Sequence, residues 1–202
     1  MYIEFFGLPG AGKSTLVRNL REKNTTYVSA RGVSLLWVPL FIFQHPIITA
    51  YWIIHALLES VSVRKFTLVR FKWSLLLHTF AQVVYAERSR ERVILDEGFL
   101  QRALSVFETK KTHGELLRAI AHTIPADVYV EVVGEEPLFA RYKRPGADRG
   151  KSGQEYLAHW EEVVRHNYKM LLQVLAERRI SYRTYVRAHD TVEEIDHYLT
   201  HL

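Results

Sequence analysis

A chain of 202 residues, 48% hydrophobic and 24% charged, is long and apolar enough for one globular α/β domain and too apolar to be disordered. It contains no cysteine, which excludes disulfides and thiolate metal sites. The net charge of +5 is modest for a nucleic-acid binder and equally suits a protein that handles phosphates, so no nucleic acid is expected as a partner. The amino terminus enters an apolar segment at once, leaving no room for a signal peptide, so a cytoplasmic location is expected, with the inner membrane surface left open. There is no repeat, low-complexity tract or linker, and one domain over residues 1–202 is expected.

Tyr2-Ile3-Glu4-Phe5-Phe6 is aromatic and β-favouring and reads as a first strand. Gly7-Leu8-Pro9-Gly10-Ala11-Gly12-Lys13-Ser14 follows and fits the phosphate-loop pattern G-x-x-x-x-G-K-[ST]. Leu16, Val17 and Leu20 then recur at helical spacing. Glycines let the backbone turn tightly and aim its N–H groups inward, and the helix start adds the positive end of its dipole. Gly7, Pro9, Gly10, Ala11, Gly12, Lys13, Ser14 and Thr15 are therefore the candidate ATP-binding positions. Lys13 is placed to reach the β- and γ-phosphates and Ser14 to ligate Mg2+.

Thr25–Ser29 reads as a second short strand, followed by Arg31 and Gly32. Strand ends on the phosphate-loop side are where α/β sheets place ligand contacts, which makes Arg31 a candidate acceptor-site residue; a solvated arginine is the alternative. Leu35–Leu58 is the oddest segment, nearly long and apolar enough for a membrane span. A single crossing would separate the phosphate loop from Asp96, and Pro39, Gln44, His45 and Pro46 break the run into halves. Three readings stay open: ordinary buried helices, with or without a homodimer face, a cover over an apolar acceptor pocket, or docking on a membrane surface. Arg64, Lys65, Arg70 and Lys72 interleave with Phe66, Phe71 and Trp73, as in an interfacial helix. Aromatic content near Trp37 and Trp52 that looks exposed makes a dimer plausible.

Leu75–Arg88 reads as a helix, with Leu76, Phe80, Val83 and Val84 on one side. Val93-Ile94-Leu95-Asp96-Glu97-Gly98 is a short apolar run ending in acid, the form of a buried parallel strand that delivers a carboxylate to the sheet edge. Helices are expected over Phe99–Phe107 and Glu115–His122, with a solvated turn at Lys110-Lys111, and a strand over Asp127–Val133. A further helix starts at Pro137. Arg141, Lys143, Arg144, Arg149 and Lys151 then stand among glycines and a proline as a lid over about 141–153. Gln154–Arg178 is a long amphipathic helix with Leu157, Trp160, Val164, Tyr168, Leu171 and Leu175 on one stripe. A strand at Ser181–Val186 and a capped helix from Thr191 close the chain. His197 and His201 share a helix face but lack a third ligand, so no metal is expected there.

This alternation implies a three-layer fold: a parallel sheet of about five strands with helices on both faces. Phosphoryl transfer needs the γ-phosphate and Mg2+ held, the spreading charge neutralised and the acceptor oriented. Lys13 and Ser14 serve the first need; Arg141, Arg144 and Arg149 suit the second. Asp96 orients Mg2+ with Ser14 or accepts the acceptor's proton, and Glu97 is the second candidate base.

With these motifs in place the chain resembles the small P-loop kinases of the nucleoside- and thymidylate-kinase group. The resemblance is specific at Gly7–Ser14, moderate at Val93–Gly98 and loose at Arg141–Arg149. It implies an ATP-dependent phosphotransferase with Asp96 at the acidic position of the family's Asp-Arg pair, Arg141, Arg144 and Arg149 in its phosphate-covering lid, and residues of about 33–90 on its acceptor side. Glu97 replaces the arginine that contacts the acceptor's phosphate in thymidylate kinases, and Arg102 stands one or two turns on as a compensating cation. A hydroxyl acceptor (nucleoside, sugar, antibiotic or lipid alcohol) therefore suits Asp96 and Glu97 better than a nucleotide phosphate does, with Arg31 and Arg102 the other candidate substrate-binding residues. Nucleoside monophosphate kinase is the alternative. A regulatory ATPase or GTPase acting through a protein or membrane partner is the third reading, weakened by the lack of an Asn-Lys-x-Asp motif.

Overall fold

The computed structural model describes residues 1–62, 66–134 and 154–202. Arg64, Lys65, the helix expected from Pro137, and the arginine-rich stretch with Arg141, Arg144 and Arg149 lie outside the described residues.

Five strands, β1 (Tyr2–Phe6), β2 (Tyr27–Ser29), β3 (Arg92–Leu95), β4 (Val128–Val133) and β5 (Arg183–Val186), form one sheet in the order β2-β3-β1-β4-β5. Every pairing is parallel, with Ile3 opposite both Ile94 and Val128. The helices are α1 (Lys13–Lys23), α2 (Val38–Gln44), α3 (Pro46–Ser62), α4 (Phe66–Arg88), α5 (Phe99–Ser105), α6 (His113–Ala121), α7 (Gln154–Glu177) and α8 (Val192–Thr200). Side-chain alternation sorts them into two layers. Ile3, Phe5, Ile94, Val130 and Tyr185 point to the face covered by α1 and α8, where Leu20, Ile195 and Leu199 meet them. Tyr2, Phe6, Val93, Leu95 and Tyr129 point to the other face, against residues of α2 to α7. The three-layer expectation is therefore met, because strands buried on both faces leave the chain no other way to cover them.

Acids interrupt that second face. Glu4 is wholly buried on β1 and accepts N–H bonds from Leu100 (2.6 Å) and Gln101 (3.3 Å) at the start of α5, and the Tyr2 hydroxyl at 3.2 Å. Burial pushes its carboxyl up to about 7, against those stabilising donors. A Cβ on Gly98 would lie 2.3 Å from Glu4 Cδ, so only glycine lets β3 turn into α5 over this carboxyl. Glu131 on β4 is held by the hydroxyls of Tyr168 and Thr184.

Several boundaries move. The second strand begins at Tyr27 and not at Thr25, while α4 runs unbroken from Phe66 to Arg88, joining the basic-aromatic stretch to Leu75–Arg88 as one helix. Thr191 caps α8 with a full capping box, its side chain accepting from Glu194 N–H. Pro39 does not break its run; it occupies the first turn of α2, where its missing N–H costs nothing. The break falls at His45-Pro46, where the direction of the Leu35–Gln44 segment turns by 116° into Pro46–Val61. Among the described residues no single helix is long and apolar enough to cross a membrane. Trp52, read as exposed, is fully buried, donating from Nε1 to His122 O at 2.7 Å. Lys111, read as solvated, is 11% exposed and pairs with Glu59 at 2.7 Å, whereas Lys110 stays outside with Glu162.

Candidate active site

β1 delivers the chain into its phosphate loop with a strained geometry that the sequence is built to accept. Gly7 has φ of 140°, and a Cβ there would lie 2.4 Å from the Val132 carbonyl oxygen of β4. Gly12 has φ of 100° and stands at the N-cap of α1 without a side-chain cap. Its carbonyl accepts from Thr15 (2.9 Å) and Leu16 (3.0 Å), which starts the helix. The first turn of α1 carries no acid. A left-handed cap with no side chain leaves the helix-start N–H groups and the dipole's positive end to an anionic ligand. Leu8 anchors the loop from outside, packing on Trp160 and Val164 of α7. Pro9, Gly10 and Ala11 complete the loop, and Ala11 N–H closes it on Leu8 O at 3.2 Å.

Lys13 is folded back over the loop, its Nζ donating to Gly7 O (2.9 Å) and Leu8 O (3.0 Å). Ser14 Oγ donates to Asp96 Oδ2 at 3.0 Å. Asp96 is 4% exposed, just beyond β3, so the strand order that puts β3 beside β1 is what brings it to the loop. Arg31, beyond β2, closes the group from the far side. Its Nη2 lies 2.6 Å from Ser14 Oγ and 2.6 Å from Asp96 Oδ2. Arg31 is thus not simply solvated: its guanidinium bridges the two side chains expected to hold a metal.

Glu97 and Arg102 form the neighbouring group. Arg102 Nη2 lies 2.9 Å from Glu97 Oε2 and 3.2 Å from Glu97 O; its Nε donates to Thr79 Oγ1 of α4 at 2.6 Å, and Nη1 reaches Ser105 Oγ at 3.3 Å. Burial pushes the Glu97 carboxyl up, but the Arg102 guanidinium, aided by Lys13 and Arg31, outweighs it and holds the group below the usual carboxylate range. An ionised carboxylate clamped by arginine is a poor proton acceptor. Asp96 is paired with an arginine too, Arg31, and differs from Glu97 in facing the loop directly through its contact with Ser14.

The structure therefore brings Lys13, Ser14, Arg31 and Asp96 together, sets Glu97 and Arg102 beside them, and does not describe Arg141, Arg144 or Arg149. Sequence reasoning missed Arg187. It follows β5, donates from its N–H to Val133 O at 3.0 Å, and its Cδ lies 3.4 Å from where a Gly12 Cβ would stand. The rule that singled out Arg31 and Asp96, a polar residue directly past a parallel strand on the loop side, would have found it.

Two oxygen donors, Ser14 and Asp96, suit Mg2+, which takes one or two protein ligands and completes its shell with phosphates and water. The cation already drawn between them, the Arg31 guanidinium, fits that assignment. Among the described residues no group of three or more His, Asp or Glu offers an alternative metal site, and His201 instead turns its Nδ1 to His197 O at 2.8 Å.

A parallel five-stranded sheet with G-x-x-x-x-G-K-S at the β1–α1 turn and an acid past the adjacent strand is the three-layer P-loop fold. Solved structures carry it. The chain is similar to the deoxyadenosine kinase of M. mycoides with bound dATP (TM-score 0.54, 15% identity, covering 100% of this chain and 98% of that one). It is also similar to that enzyme with products dCMP and a flexible dCDP bound (TM-score 0.51, 15% identity, covering 100% and 97%). At this identity the likeness is one of fold. No protein-family model matches the chain, and no curated protein does.

Proposed function

We propose that this protein is an ATP-dependent kinase that transfers the γ-phosphoryl group to a hydroxyl of a small molecule, with nucleosides the first class to test. The observation that carries the reading is the juxtaposition of a complete phosphate loop with a buried Asp96 carboxylate, 3.0 Å from Ser14 Oγ. The fold shared with nucleoside kinases supports it.

Each residue has a role in this reading. Lys13 exchanges the Gly7 and Leu8 carbonyls for the β- and γ-phosphates, a trade of neutral acceptors for charged ones. Ser14 and Asp96 would hold Mg2+, which when bound neutralises charge on the phosphates. Arg31 lies within reach of the same space and supplies positive charge there. Asp96 either orients the metal or takes the acceptor's proton. Glu97 sets the acceptor's chemistry. It is the outermost carboxylate here, 45% exposed at its side chain, and Arg102 behind it is 3% exposed and spent on Glu97, Thr79 and Ser105. A phosphate dianion would meet a fixed negative charge, whereas a hydroxyl can donate to it.

The test is ADP release with ATP and Mg2+ over a panel of deoxynucleosides, sugars, aminoglycosides and long-chain alcohols, set against dTMP and dCMP. A hydroxyl acceptor is expected to stimulate ADP formation and the monophosphates to leave it at background. Turnover on a monophosphate above every hydroxyl acceptor would overturn the acceptor assignment and favour a nucleoside monophosphate kinase.

A further inference from the structure

The exposed apolar surface of this protein is concentrated in one place. Among the described residues, every large exposed hydrophobic except Leu202 falls between residues 35 and 61. Helix α3 shows why. Its inner side carries Trp52, Ala56 and the buried polar residues Thr49 and Glu59. Its outer side carries Ile47, Ile54, Leu57, Leu58 and Val61, between 51% and 80% exposed. Ile54, Leu57, Leu58 and Val61 stand three and four residues apart and Ile47 two turns before Ile54, so all five share one side of the helix. A helix apolar all round normally lies inside a core or against lipid. Leu36 (87% exposed) and Phe43 (85%) extend the patch across the bend onto α2 and the turn before it. Contiguous exposed apolar surface of this kind marks a contact site.

The charge pattern says what covers it. Between residues 35 and 86 the only acid is Glu59. That carboxylate is withdrawn from the surface: it is 5% exposed, pairs with Lys111 at 2.7 Å and accepts the Glu108 N–H at 2.7 Å. The bases in the same span are Arg64, Lys65, Arg70 and Lys72. Lys72 is consumed inside, 3.0 Å from Glu108, while Arg70 is exposed. By sequence the span is apolar and basic, and the acids nearest the patch are engaged: Glu59 with Lys111, and Glu87, just past the span, against His45 at the bend at 3.3 Å. An anionic lipid surface matches both halves of that pattern. A second copy of this chain, with the same bases and the same missing acids, matches only the apolar half.

We propose that the outer faces of α2 and α3 dock this protein on an anionic membrane surface, lying in the interface and not spanning it. The 116° turn at His45-Pro46 fits such a position, since neither arm is long enough to cross and each can lay one side into the headgroup boundary. The inference goes beyond the kinase reading and does not need it: docking uses none of Lys13, Ser14, Arg31 or Asp96.

Flotation of the full chain with vesicles tests it. Binding is expected to mixed phosphatidylcholine–phosphatidylglycerol vesicles at low salt, weaker binding at high salt, and weakest binding to phosphatidylcholine alone. The triple variant Phe43→Ser, Ile47→Ser, Leu58→Ser changes only exposed side chains, so its urea unfolding should match the wild type. Its vesicle-bound fraction is expected to fall by about tenfold or more. Lys13→Ala should float like the wild type, so loss of phosphoryl transfer and loss of docking are read separately. Wild-type protein that stays unbound on anionic vesicles at low salt would overturn the proposal. So would a wild-type dimer that the triple variant converts to monomer with no vesicle binding by either, which assigns the face to a second copy.

Discussion

Asp96→Asn is expected to lower phosphoryl transfer by about 10²–10⁴-fold, the range for losing a positioned acid–base group. The substitution is nearly isosteric, and the amide oxygen can still accept from Ser14 and Arg31, which lie 3.0 and 2.6 Å from the carboxylate oxygen. The fold therefore stays and only the negative charge goes. Either role assigned to Asp96, metal orientation or proton acceptance, needs that charge. Steady-state kinetics should show the loss in kcat more than in KM for the acceptor, since the charge acts mainly in the transition state. Glu97→Gln, measured in parallel, is expected to cost less, because Asp96 contacts Ser14 of the loop whereas Glu97 is turned to Arg102 beside it. A larger loss for Glu97→Gln than for Asp96→Asn would transfer the base assignment to Glu97.

Lys72→Met is expected to destabilise the fold by about 3–5 kcal/mol, the cost of removing one partner from a buried ion pair. Lys72 is 1% exposed and Glu108 5%, their charged atoms 3.0 Å apart, with the Tyr156 hydroxyl donating to Glu108 at 2.9 Å. The variant removes the cation that lies 3.0 Å from the buried Glu108 carboxylate. Methionine keeps most of the lysine stem's volume, so packing changes little. This pair ties α4 to the segment after α5 and, through Tyr156, to the first turn of α7. Urea unfolding of Lys72→Met should shift to lower concentration at unchanged slope. The double variant Lys72→Met, Glu108→Gln should recover much of the loss, since no charge is then stranded. Equal midpoints for Lys72→Met and wild type would show that the pair contributes nothing.

Most of the layer architecture was legible because the strands are written as apolar runs buried on both faces and the phosphate loop fixes where the first of them ends. Asp96 was legible for the same reason: an acid directly after Val93-Ile94-Leu95 can only stand at the sheet's edge. The buried ion network was not. Glu59 lies on α3, Lys72 on α4, and Glu108 and Lys111 in the segment between α5 and α6, and one by one each reads as a solvated charge, since burial of charges depends on partners that only tertiary packing supplies. Lys110 and Lys111 show how local that decision is: adjacent residues, one outside and one buried on Glu59. Arg102 was named as a compensating cation, but its bond to Thr79 depends on α4 packing beside α5, which only the tertiary structure supplies. The Leu35–Leu58 segment left three readings open because apolar periodicity reports a helix without reporting how many of its sides are covered. Its two sides differ in fate, Trp52 inside and Leu58 outside.

The central claim is that the loop at Gly7–Ser14 grips a nucleotide for transfer of its γ-phosphoryl group. The most direct measurement follows label from γ-phosphate-labelled ATP into the acceptor in wild-type protein and in Lys13→Ala. The account predicts acceptor-dependent transfer by the wild type and a loss of about 10²–10³-fold in the variant, the size expected when one preorganised charge on the developing phosphoryl oxygens is removed. Transfer at an undiminished rate by Lys13→Ala would contradict it.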